Sequence, residues 1–157
     1  MIIDYIPKYD EEVKDLLVEL QHHISNIDKE GYNVVGQYFR DKYFEKTMQN
    51  VFDNNGKIML YLEDDKIVGL IVGIIYNEQI ETFDFCAPKR GRIAELIVNR
   101  EYRGRGIGKE LLMEMTSYLK SIDCQKIIIS VFGYNESALK FYKENGYHIR
   151  MIDMIED

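Results

Sequence analysis

The chain has 157 residues, 46% of them hydrophobic and 30% charged, with a formal net charge of −7. That length fits one domain over 1–157 with a single real core. The acidic balance excludes general nucleic-acid binding, which needs a basic face, and no apolar run approaches the roughly 18 residues of a membrane span.

Met1 to Ile6 reads as a first strand. Tyr9 to Ser25 reads as a helix, with Asp10 as its cap and Val13, Leu16, Leu17, Leu20 and Ile24 on one face. A second helix follows from Gln37 to Phe52, with Tyr43, Phe44, Met48, Val51 and Phe52 facing inward. Lys57–Glu63 and Lys66–Tyr76 form a hairpin turned at Asp64-Asp65. Gly69 and Gly73 inside its second strand indicate a bulge or a close backbone approach. Asn77 to Arg90 is a loop, and Arg92 to Asn99 is a fourth strand. Arg105 to Ser121 is a helix with Ile107, Leu111, Leu112, Met115 and Leu119 on one face. Gln125 to Phe132 is a nearly continuous apolar run, the pattern of a buried strand. Asn135 to Asn145 is a short helix closed by Gly146, and Tyr147 to Met154 is a last strand. The order β-α-α-β-β-β-α-β-α-β gives an α/β fold with a mixed, mostly antiparallel sheet and helices on its faces.

Cys86 and Cys124 make no C-x-x-C pair, and Met1-Ile2-Ile3-Asp4-Tyr5 has no basic stretch ahead of an apolar one. A reduced, cytoplasmic protein without a signal peptide is expected. His22 and His23 are adjacent and His148 is remote, so no metal-ligand spacing appears.

The run Arg103-Gly104-Arg105-Gly106-Ile107-Gly108-Lys109 lies between a strand and a helix. A glycine-rich turn there presents backbone N–H groups at the positive end of a helix dipole, which suits phosphate. A nucleoside-triphosphate loop would need Ser or Thr after Gly108-Lys109, where Glu110 stands, and a glycine at Arg103. A dinucleotide loop would need a third glycine at Lys109.

Arg103-x-x-Gly106-x-Gly108 resembles instead the Arg/Gln-x-x-Gly-x-Gly/Ala signature of the GNAT N-acetyltransferase superfamily. Asn135-Glu136-Ser137-Ala138-Leu139-Lys140-Phe141-Tyr142, followed by Gly146-Tyr147, resembles that family's second motif at the matching spacing. The likeness covers about residues 92–149; the N-terminal half resembles the family only in element order. Arg100, where many relatives have proline, and Tyr147, where phenylalanine is usual, depart from the pattern.

The resemblance implies an acetyl-CoA-dependent acyltransferase that moves an acetyl group to a primary amine by direct attack, without a metal. It implies that the Arg103–Lys109 turn grips the pyrophosphate, that Ile97 and Val98 offer backbone groups to the pantetheine arm, and that Asn135 bonds the same arm. Asn135 also stands where a helix cap is expected. Tyr142 is the implied general acid, because a phenol of pKa ~10 is protonated at neutral pH and can donate to a leaving thiolate. Glu95 is the candidate base: an amine of pKa ~10.4 must lose a proton before it attacks, and a carboxylate within the apolar run Ala94–Val98 is otherwise costly. Glu81, His22 and His23 are lesser candidates for base, and Tyr134 a further lining residue. Gln21–Arg40 and Asn77–Arg90 are the expected acceptor segments; their acids and aromatics would suit a polyamine, an aminoglycoside or a peptide amine. A homodimer is common in the family, and nothing in the sequence demonstrates one. The alternative function is a non-catalytic acyl-CoA-binding or sensor module of the same fold.

Overall fold

The computed structural model describes residues 1–76 and 82–156. Its elements are β1 (Ile2–Asp4), α1 (Asp10–Ile27), α2 (Phe39–Asp53), β2 (Lys57–Glu63), β3 (Lys66–Tyr76), β4 (Arg90–Val98), α3 (Ile107–Ser121), β5 (Lys126–Ile128) and α4 (Glu136–Glu144). One-turn 3-10 segments at Pro7–Tyr9 and Arg100–Tyr102 precede α1 and the glycine turn. The described strands form one sheet in the order β1-β2-β3-β4-β5, antiparallel from β1 to β4 and parallel between β4 and β5. No described helix is long and apolar enough to cross a membrane.

Two apolar layers hold the sheet. On one face, Val13, Leu16 and Leu17 of α1 pack on Ile58, Leu60, Leu70, Val72 and Ile97, with Tyr43, Phe44, Met48 and Val51 of α2 at the margin. On the other, Ile107, Leu111, Leu112, Met115 and Leu119 of α3 pack on Met59, Val68, Ile71 and Ile93. Each such buried aliphatic side chain contributes about 1.5–3 kcal/mol of transfer free energy. Helical spacing of these apolar residues on α1 and α3 is what lets one stripe of each helix reach the sheet.

Glycines on the α3 face set how closely that helix approaches. A Cβ at Gly73 would lie 2.3 Å from Met115 Sδ, one at Gly91 2.9 Å from Leu119 Cδ1, and one at Gly69 3.0 Å from Leu111 Cδ1. Gly69 and Gly73 therefore serve the close approach, and the pairing register also shifts between Val72 and Gly73.

Several boundaries differ from the expected ones. Asp10 does not cap α1; it is the first helical residue, and its carboxylate accepts a 2.5 Å hydrogen bond from the Tyr5 hydroxyl. Phe52 does not face inward but is 80% exposed, because Val51 takes the inward position on that turn. The apolar run after α3 pairs only over Lys126–Ile128, at the edge of the sheet, and is half-buried there. Tyr147 to Met154 joins no strand ladder; Ile149, Met151, Ile152 and Met154 stay exposed, so their apolar character finds no core to define a strand. Both cysteines are free, Cys86 exposed and Cys124 buried.

Candidate active site

Two irregularities in β4 create the site. Val72 pairs with Glu95 and Gly73 with Ile93, so Ala94 is the extra residue of a β-bulge. A bulge twists its strand and re-aims side chains. Here it breaks the strict alternation: Ile93 and Leu96 pack toward α3, whereas Ala94 packs toward α1 and α2 and Glu95 bonds α2. The second irregularity is that β4 pairs with β5 only over Arg90–Arg92. Beyond Arg92 the parallel pair opens, and the outer edge of β4 has no strand partner among the described residues.

Glu95 stands at this bulge, half-buried. The Tyr43 hydroxyl donates to its Oε1 at 2.5 Å. Burial raises its pKa above the ordinary carboxylate value, while the Tyr43 hydrogen bond and the nearby Lys46 ammonium pull it down. Glu95 lines a cavity of about 540 Å³ with Tyr43, Lys46, Thr47 and Asn50 of α2, Ile74 to Tyr76 of β3, Arg92 of β4 and Ser130. A half-buried carboxylate of raised pKa at a cavity wall has the character of a general base.

Tyr142 lies on the other face of the sheet's splayed end, 9% exposed, between the rings of Phe141 and Tyr147. Burial, with a smaller contribution from Tyr147, raises its pKa and keeps the phenol protonated. Its hydroxyl has no hydrogen-bond partner among the described residues, so the proton is free to be donated.

The glycine turn is exposed and ends at Gly106, the residue before α3, with φ +84°. No side chain caps α3, so the N–H groups of Ile107, Gly108 and Lys109 are left for a ligand. Gly104 is also left-handed, at φ +78°. A Cβ on Gly108 would touch Phe141 and Val98 at 3.6 Å, which seats the turn against β4 and α4. The basic side chains are partly committed elsewhere. Arg103 donates from Nε to the Val98 carbonyl at 2.8 Å and pairs with Glu19 at 3.2 Å. Glu19 also accepts from the Arg100 N–H and the Asn99 side chain, so α1 clasps the turn. Arg105 pairs with Glu63 at 3.1 Å, and Lys109 is exposed.

The Asn99 N–H bonds the Val68 carbonyl on β3. Strand donors alternate in direction, so the N–H of Val98 points to the open edge and that of Ile97 toward β3, where Ile97 pairs with Leu70. The Val98 and Leu96 N–H groups therefore face the open edge, and that of Ile97 faces β3. Asn135 caps α4, its Oδ1 accepting from the Ala138 N–H at 3.2 Å.

Some expected residues lie apart from this cavity. His22 and His23 sit on α1 away from its lining, and Glu81 falls outside the described residues. Tyr134 donates to Asp28 at 3.2 Å and fastens the segment after α1 to the one before α4. The described cavity wall comes from α2, β3 and β4 with Asn54 and Ser130, and no residue of Gln21–Arg40 lines it. Tyr43, Lys46 and Arg92 also line the cavity, and no sequence motif marks them. Arg92 carried the same signal as Glu95, a charge within an apolar strand.

The family model described as Acetyltransferase (GNAT) family matches residues 20–147, and the chain belongs to that family. It is 36% identical over 86 residues to N-alpha-acetyltransferase 30 of Schizosaccharomyces pombe, covering 55% of this chain and 53% of that protein. It is 29% identical over 91 residues to spermine/spermidine N(1)-acetyltransferase of Bacillus subtilis, covering 56% of each. The matched stretch spans about half the length of these curated relatives. The fold is shared with a tetramutant of the BH1408 protein from Bacillus halodurans, with a TM-score of 0.81 at 18% identity over 100% of this chain and 99% of the other.

Proposed function

We propose that this protein is an N-acetyltransferase that moves the acetyl group of acetyl-CoA to a primary amine by direct attack through a tetrahedral intermediate. The observation that carries this reading is Glu95: a carboxylate re-aimed by a bulge into a cavity, bonded by Tyr43 and raised in pKa by burial. The turn fits the donor's pyrophosphate, because the uncapped N–H groups of Ile107, Gly108 and Lys109 converge beside Gly106. Gly104, Arg103 and Arg105 complete that turn, the arginines adding charge while tied to Glu19 and Glu63. The open edge of β4 offers the Val98 and Leu96 N–H groups to the pantetheine arm in the manner of an added strand. Asn135 borders the same edge while capping α4.

When bound, acetyl-CoA supplies an activated thioester. Glu95 takes the proton from the acceptor ammonium, directly or through water, and leaves a neutral amine. A further backbone N–H near Val98 is the donor for the oxyanion. Tyr142, held protonated by burial, gives its proton to the leaving thiolate.

The test is CoA-thiol release from acetyl-CoA over a panel of primary amines. Release that equals acetylated amine supports the enzyme; saturable acetyl-CoA binding with no release from any amine supports a binding module instead.

A further inference from the structure

The cavity beside Glu95 is cationic within an acidic chain. Lys46 reaches it from α2 and Arg92 from β4, and Glu95 is the one carboxylate among the described lining residues. Several cations elsewhere are paired: Lys14 with Glu11 and Asp41, Arg40 with Glu11 and Asp15, Lys57 with Asp4, Arg103 with Glu19 and Arg105 with Glu63. Lys46 and Arg92 belong to no ion pair among the described residues. Arg92 is held over the Tyr76 ring at 4.2 Å, and its buried Nε has no hydrogen-bond partner. Arg92 is thus a guanidinium fixed at the cavity wall with no carboxylate partner among the described residues, and a charged oxygen bound in the cavity would pair with its outer N–H groups.

We infer that the cavity takes an acceptor bearing an anionic group, phosphate or carboxylate, which Arg92 and Lys46 bind while the acceptor's amine lies at Glu95. This rests on the acetyltransferase reading above for the role of the amine, and on the cavity alone for the anion. Arg92 and Glu95 pair with Ile74 and Val72, two residues apart on β3 because Ala94 is the extra residue of the bulge, which is roughly 7 Å of strand at about 3.3 Å per residue. The amine and the anion of the acceptor are therefore separated by several bonds. Thr47, Asn50 and Ser130 line the same wall and suit a polar body between the two charges. A polyamine is disfavoured, since its second ammonium would meet two like charges.

The experiment compares matched pairs by calorimetry in the presence of CoA: glucosamine 6-phosphate against glucosamine for phosphate, and lysine against its decarboxylated analogue cadaverine for carboxylate. The expected result is binding at least tenfold tighter for the anionic member of one pair, which identifies the source of the anion. Arg92→Gln then reduces that preference to twofold or less. Because Arg92 also stacks on Tyr76, Lys46→Gln on the exposed side of α2 is the second variant, expected to reduce the preference three- to tenfold. Equal binding within both pairs, or tighter binding of cadaverine or spermidine, overturns the inference. CoA release from the same amines separates the two readings. Anion preference without release leaves the cavity assignment standing and removes the transferase, whereas release with no anion preference does the reverse.

Discussion

The Tyr43 hydroxyl on α2 donates to the Glu95 carboxylate on β4 at 2.5 Å, joining residues 52 apart in sequence. The bond favours the charged carboxylate and opposes the burial that raises its pKa. Glu95→Gln is expected to lower kcat/KM for amine acetylation by about 10²–10⁴, the usual contribution of a positioned base. Steady-state rates at saturating acetyl-CoA check this.

Activity should rise with pH as Glu95 ionises, with the acidic limb set above the ordinary carboxylate range. Tyr43→Phe removes a hydrogen bond to the ionised form, so that limb should move to higher pH while the rate on the plateau changes less. Stability follows the opposite sign. The folded state holds the Glu95 proton more tightly than the unfolded chain, so the contribution present at low pH is lost as pH rises through the raised pKa. Melting curves of Glu95→Gln should therefore depend less on pH across that window than those of the parent.

Tyr142→Phe keeps the ring against Phe141 and Tyr147 and deletes a hydroxyl with no described protein partner. Thermal stability should stay within about 0.5 kcal/mol, the range of substitutions that break no contact. CoA release should fall by about 10²–10⁴. Normal release from a normally folded variant would remove Tyr142 from the acid role.

Gly106 adopts φ +84° immediately before α3. Gly106→Ala places a Cβ in a conformation costing about 1–2 kcal/mol and disturbs the uncapped N–H groups behind it. The expected effect is a KM for acetyl-CoA raised about tenfold with the acceptor KM little changed, read from initial rates with each substrate varied.

Gly73→Ala drives a methyl to 2.3 Å from the buried Met115 Sδ. Overpacking of this kind costs about 1–3 kcal/mol. Met115→Ala in the same chain should recover part of that loss, because it vacates the space the methyl needs; denaturant unfolding of the single and double variants measures the coupling.

The C-terminal half of the fold was legible because its signals are local. Gly104, Gly106 and Gly108 punctuate a turn, Asn135 caps a helix, and the stripe from Ile107 to Leu119 has helical period. Tyr147 to Met154 misled because exposed apolar residues and a paired strand share one sequence pattern; burial distinguishes them, and burial is non-local. The edge position of β5 was hidden for the same reason. At the site, Glu95 stood out as a charge in an apolar strand, but its partner Tyr43 could not, since the Ala94 bulge that turns Glu95 toward α2 leaves no mark in composition. Arg92 carries the same sequence signal as Glu95, a charge within an apolar strand, but stands in no motif.

The most direct measurement is the pH profile of CoA-thiol release by the parent protein and by Glu95→Gln, with acetyl-CoA saturating and a primary amine that supports turnover. The account predicts that the parent's rate climbs through the raised pKa of Glu95 and that the variant is slower by about 10²–10⁴ with that limb absent. A Glu95→Gln variant that turns over at the parent's rate with the same acidic limb would contradict it.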